Sequence, residues 1–325
     1  MTRVPDAMAL RRMVRYVVVG AMAWSIVVAM AMAAWGGGRM ASPEPAFVLW
    51  GVGVFALNHL MRFARWHLML GAEGYWLPWA RSLSIFMAGL ALLPTPAKAG
   101  VAARSVLLQG EGVPVHVSLA AYFAERLLDL IGLVVLATVL LDSGTTLARW
   151  LVAAIVAILG IAAIRLAPAA LRIAQSRVRL GAASSRALDW AIRCLGDARE
   201  MLRGWRLPLF ILLGAAANAI SGLLVWVAVR GAIDPVTAVG VLAISHLSGS
   251  ITLLPGGLGG FDLAMVTQLD ARGVAAADAL AALSLVRLST FWAGIAAGMP
   301  LLWLGLRRIS AREQAGPREP QKVPF

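Results

Sequence analysis

Five apolar runs in this chain approach or exceed the roughly 20 residues that an α-helix needs to cross a bilayer: Tyr16 to Trp35, Leu119 to Leu141, Leu147 to Leu166, Leu207 to Val229 and Ala279 to Leu306. Lipid offers the backbone no hydrogen bonds, so runs of this kind close their own bonds as helices. With 60% apolar residues, 14% charged residues and a mean hydropathy of +0.81, too little polar surface is available to cover a water-soluble domain of 325 residues. Abundant alanine and glycine suit helices that pack closely in lipid. The N-terminal segment has the arginines and the small-residue string Ala29-Met30-Ala31 of a signal peptide. Its apolar stretch is too long for one, so it reads as an uncleaved first helix.

The second constraint is an internal repeat. Leu92-Leu93-Pro94 through Arg126-Leu127 reappears without a gap as Leu253-Leu254-Pro255 through Arg287-Leu288, at an offset of 161 residues. Gly112-Val113 maps to Gly273-Val274, Leu119-Ala120-Ala121 to Leu280-Ala281-Ala282, and Arg126 to Arg287. Each copy runs from a short apolar segment into a Pro/Gly-rich break, then a polar elbow, then a long apolar helix carrying an arginine. That is the layout of a membrane transporter binding site.

Charge orients the copies. Nine arginines lie between Arg165 and Arg206 against Asp189, Asp197 and Glu200, which places this loop in the cytoplasm, and the N-terminal and C-terminal arginines follow. Helix one goes out, and helix two returns through about Ala46 to Leu60, leaving Arg62, Arg65 and His67 inside. Ser82 to Leu93 is too short to span. If Ser82 to Leu108 is instead a hairpin entered and left from the cytoplasm, the loop lands on the required side. Val236 to Leu269 then forms a second hairpin entered from outside. The expected fold is all-α and polytopic, with six to eight transmembrane helices and two re-entrant hairpins in inverted repeats (about 82–141 and 241–306), a basic loop at 167–206, one domain over 1–306 and a disordered tail at 307–325. Eight plain spanning helices are the alternative, since Val236 to Leu254 is long enough to cross. Ser184 to Trp205 reads as an amphipathic interfacial helix.

Ionisable groups inside apolar spans need a partner or a task. Glu125, Arg126 and Asp129 sit on neighbouring faces of one helix and either pair among themselves or require a second cation. Arg287, Lys98 or Arg104 could supply it. Arg287 has no acid within a turn of its own helix, so its charge is balanced across the fold or by a ligand phosphate, for which a guanidinium fork is suited. The string Pro255-Gly256-Gly257-Leu258-Gly259-Gly260 frees backbone N–H groups and presents a helix N-terminus, beginning near Phe261, to an anion. Pro94 marks the matching break in the first copy. His246 is a candidate for proton coupling or a plain interhelical hydrogen bonder, while His59 and Asn218 read as packing polar groups.

No catalytic signature, nucleotide-binding loop or cofactor motif is present. One cysteine, Cys194, allows no intramolecular disulfide, and four scattered histidines make no metal centre. The net charge of +13 is arginine at helix ends and in one loop, which points to anionic lipid rather than nucleic acid.

Leu92-Leu93-Pro94, Gly100 with Arg104, Arg65-Trp66, Glu125-Arg126-Leu127-Leu128-Asp129, the elbow Leu254-Pro255-Gly256-Gly257-Leu258-Gly259-Gly260-Phe261-Asp262 and Arg287 together resemble the flippase-like transmembrane domain of lysylphosphatidylglycerol synthases. The resemblance covers roughly residues 14 to 306, with Val101 and Asp262 standing where that family commonly has glutamate. It implies movement of a polar or anionic lipid between leaflets of the inner membrane, with Arg126, Arg287 and the two elbows as the head-group site. A lipid-modifying enzyme or glycosyltransferase is the partner class it implies. The soluble aminoacyl-transfer domain of the full-length synthases has no counterpart in the polar tail, so synthase activity is not expected. The competing readings are an intramembrane enzyme using Glu125 and Asp129 as acid and base, and a scaffold for such an enzyme.

Overall fold

The structure, a computed structural model, describes residues 45–93, 104–138, 146–177, 181–252 and 255–314. Among the described residues there are helices and short turns and no strand, so this is an all-α membrane protein. The expected helix one, the tip of the expected first hairpin and the residues beyond 314 lie outside the described residues. In chain order the helices are α1 (Pro45–Ala72), α2 (Trp79–Leu90), α3 (Arg104–Gln109), α4 (Val115–Ala137), α5 (Thr146–Arg177), α6 (Ala182–Met201), α7 (Arg206–Ala228), α8 (Pro235–Ile251), α9 (Gly260–Asp270), α10 (Ala276–Arg287) and α11 (Ala293–Gln314). A π-helical turn, Leu288–Trp292, joins the last two. Thr146–Arg177, Arg206–Ala228 and the continuous stretch Ala276–Ile309 are long and apolar enough to cross a membrane. The helices α1 and α4 are comparably long and carry the charges considered below.

The repeat is visible as backbone geometry. The α3 helix ends with the amide of Val113 donating to Leu108 O at 3.1 Å, and α9 ends with Val274 donating to Leu269 O at 3.1 Å. Between them Gly112 and Gly273 take φ of +81° and +75°. These are left-handed helix stops, which glycine adopts without steric cost. The Gly-Val pairs therefore recur because both copies stop a helix in the same way. Each short helix also packs on the long helix of the other copy: α2 on α11 and α8 on α4.

Packing along α7 shows that the copies run in opposite directions. Val113, Val117 and Phe210 share one apolar cluster at the start of α7, whereas Val225, Val229, Val274 and Ala279 share another at its end. A helix of 23 residues is about 35 Å long, so α4 and α10 start near opposite ends of it. Arg126 and Arg287 each follow eleven residues, about 17 Å, into their helices and arrive at a common depth.

Two expectations are corrected. Helix two does not stop at Leu60; α1 continues to Ala72, and Arg62 and Arg65 belong to its interior face, with Arg65 fully buried. The sequence Met61-Arg62-Phe63-Ala64-Arg65-Trp66 reads as a helix exit because arginine marks cytoplasmic ends, but here the carboxylates of α4 take up both charges. The tail expected to be disordered from 307 is likewise helical as far as Gln314, where α11 ends, while the π-turn just after Arg287 shifts the register of the last apolar run without ending it. Of the basic loop expected at 167–206, residues 167–177 continue α5, and the helix read at Ser184 to Trp205 is α6. In α6, Ile192, Cys194, Ala198 and Met201 face inward, and Arg186, Arg193 and Arg199 face out.

Candidate functional site

Glu125 and Asp129 are the centre of a charged network between α1, α3, α4 and α7. Asp129 Oδ1 accepts from Arg65 Nη2 at 2.7 Å, and its Oδ2 accepts from Arg62 Nη1 at 2.8 Å and lies 3.1 Å from Arg126 Nη2. Glu125 pairs instead with Arg104, at 2.8 Å, and stands 3.9 Å from Arg65. Asn58 Oδ1 and Asn218 Oδ1 hold Arg62 at 3.0 and 2.8 Å, and the Arg104 guanidinium lies over the Trp66 and Phe86 rings. The second cation required by the two acids is thus Arg104, joined by Arg62 and Arg65. The latter two escape a sequence reading because their partner, Asp129, lies more than 60 residues away on another helix.

The second elbow is built around Arg287. Its Nε donates to Asp262 Oδ1 at 2.7 Å and its Nη1 to Gly256 O at 2.9 Å, while its guanidinium stacks 4.3 Å above the Phe261 ring. The charge of Arg287 is therefore balanced inside its own copy by Asp262, at 25 residues' separation, rather than across the repeats. Asp262 also accepts from the Gly259 amide at 3.0 Å, so this carboxylate already caps the N-terminus of α9 that the sequence offers to an anion. At Gly256, with φ of +64°, an added Cβ would stand 2.5 Å from Phe291. Backbone and ring meet there without room for a side chain.

One cavity of about 390 Å³ joins the two halves. Glu125, Arg126, Asp129 and Arg104 line it from the first copy; Arg287, Gly256, Gly257 and His246 line it from the second. Arg62, Asn58, His59, Asn218 and Ser221 add a polar wall from α1 and α7, and Leu90, Leu93, Leu130 and Leu133 an apolar one. Asn218 and His59 thus border the cavity, beyond the packing role expected of them. Gly259 and Asp262 are not among the residues that line the cavity, and Pro94 and Lys98 lie outside the described residues. Arg126 is the most accessible guanidinium group of the Glu125–Asp129 network, its side chain 35% exposed against 20% for Arg62, 4% for Arg104 and none for Arg65. His246 packs against the Phe261 ring at 4.9 Å. Among the described residues no group of histidine, cysteine and carboxylate side chains is arranged to hold a metal.

A bundle of apolar helices with a basic cavity between two oppositely directed repeats defines the class: an integral membrane protein with a buried polar site. The chain belongs to the lysylphosphatidylglycerol synthase TM region family, which it matches over residues 13–298. A comparison with curated proteins finds no match.

Proposed function

We propose that this protein moves a polar or anionic lipid, of phospholipid, polyprenyl-phosphate-linked or hopanoid type, between the leaflets of the inner membrane. Its membership of a lipid-related membrane family supports this, and the meeting of Arg126 and Arg287 on one cavity carries it. Inverted halves around a shared site suit alternating access. In this reading α2 with α3, and α8 with α9, are re-entrant hairpins. The 12 residues of α2 reach about 18 Å, short of a ~30 Å hydrocarbon core. Arg81, at the start of α2, and Glu111, just past α3, form an ion pair of 2.7 Å, so the first hairpin ends where it began. The nine-arginine loop puts that face, and both termini, in the cytoplasm.

The head group enters beside Arg126 and Arg62, and the tails stay in the bilayer along Leu130, which is 44% exposed. An enzyme needing Glu125 and Asp129 as acid and base is disfavoured, because Arg104 engages the first and three arginines the second. Liposomes carrying the protein and leaflet-selective lipid reporters test the reading. Transbilayer movement is expected, and is reduced by Arg126→Ala and Arg287→Ala. Movement indifferent to both variants sinks the site, and chemical conversion of the lipid sinks transport.

A further inference from the structure

The charge around the cavity narrows what it carries, given the transport reading above. Four guanidinium groups, on Arg62, Arg65, Arg104 and Arg126, face two carboxylates, Glu125 and Asp129. Arg287 and Asp262 neutralise each other. Among the described residues the network thus holds a surplus of two positive charges, in surroundings where an uncompensated charge is strongly unfavourable.

Geometry locates the surplus. Asp129 Oδ1 is taken by Arg65, so Arg62 and Arg126 share the single oxygen Oδ2, at 2.8 and 3.1 Å. Both line the cavity, and Arg126 Nε is buried without a hydrogen-bond acceptor among the described residues. Two guanidinium groups that share one carboxylate oxygen at the cavity wall are only half supplied with counter-charge, which suits the cavity beside them to an oxyanion.

We propose that the ligand is a lipid whose head ends in a phosphomonoester, with terminal oxygens bridging Arg62 and Arg126. A phosphomonoester carries about −1.5 to −2 charges near neutral pH and matches the surplus. A phosphodiester head such as phosphatidylglycerol brings one negative charge and leaves half of it, and a zwitterionic head brings no net charge.

Competition on the purified full chain in detergent tests this. A fluorescent phosphatidic acid is displaced by unlabelled phosphatidic acid, phosphatidylglycerol, phosphatidylcholine or sodium phosphate. Near pH 7.5, phosphatidic acid is expected to displace about tenfold better than phosphatidylglycerol; near pH 5, where the second ionisation is lost, the two converge. Arg126→Gln removes one surplus charge and is expected to lower affinity for phosphatidic acid while changing that for phosphatidylglycerol less than about threefold. Equal displacement by the two lipids at pH 7.5, or a preference unchanged by acid, overturns the monoester assignment. Sodium phosphate as effective as phosphatidic acid assigns the cavity to a free anion and overturns it too. The comparison of lipids on the unmodified protein stands even if the variant does not fold. Because binding is read without transport, a failure here differs from a failure in liposomes.

Discussion

Arg65 Nη2 lies 2.7 Å from Asp129 Oδ1, and no part of the Arg65 side chain reaches the surface. The pair fastens α1 to α4 with the Arg65 guanidinium fully buried, so the loss of its partner leaves that charge poorly solvated. Asp129→Ala is expected to destabilise the protein by about 3–5 kcal/mol, because Arg65 would remain buried with only Glu125, 3.9 Å away and already engaged by Arg104, as counter-charge. A thermal midpoint in detergent equal to that of the unmodified protein would show that the pair holds nothing together.

Gly256→Ala tests the elbow. An L side chain in the left-handed region costs about 1–2 kcal/mol, and at Gly256 the methyl would also press on Phe291. Gly74 has φ of +86° but open space around it, so Gly74→Ala carries the backbone cost alone. The Gly256 variant should lose more stability than the Gly74 variant, and should also lose transport. Equal losses would mean that Phe291 yields easily.

The opposite orientation of the copies is open to labelling. Gln109 and Asp270 are repeat-equivalent, exposed and last in their helices. Membrane-impermeant maleimide is expected to reach Gln109→Cys from the cytoplasmic face and Asp270→Cys from the opposite face. Cys194 gives little background, since burial, and then Asp197, push its thiol up to about 11, leaving little thiolate. Labelling of both positions from one compartment would remove the inverted topology.

Glu73, in the turn after α1, offers a pH test. Burial, and then the Asp197 and Glu200 carboxylates, hold its carboxyl above the usual glutamate range. A carboxyl raised in the folded state resists ionisation there, so its cost is absent below the unfolded value and grows as pH rises through the folded one. Glu73→Gln should therefore raise the thermal midpoint at neutral pH, with a gain that fades on acidification. A gain that is the same at every pH would put the effect on packing, not charge.

Much of the frame could be read from residue order. The apolar runs predict α4, α5 and α7, the Gly-Val pairs mark the repeat whose copies prove to share a helix stop, and α6 folds where arginines alternate with apolar residues. These are local properties: run length against bilayer thickness, glycine at a left-handed stop, and a period near 3.6 on one helix. The elbow at residues 255–260 and the cluster at 125–129 could be singled out because charge and glycine are rare inside apolar runs.

The partnerships were not legible. Arg62 and Arg65 read as a cytoplasmic exit, and Arg287 as a cation balanced across the fold or by a ligand phosphate. Asp129 and Asp262, which neutralise them, become neighbours only when helices cross or a chain doubles back. Helical periodicity says which residues share a face but not which faces meet. Length, hydropathy and glycine placement follow from the order of residues, because each is a property of a short segment in lipid. The pairing of Arg62 and Arg65 with Asp129, and with it the surplus facing the cavity, was settled by packing between segments distant along the chain.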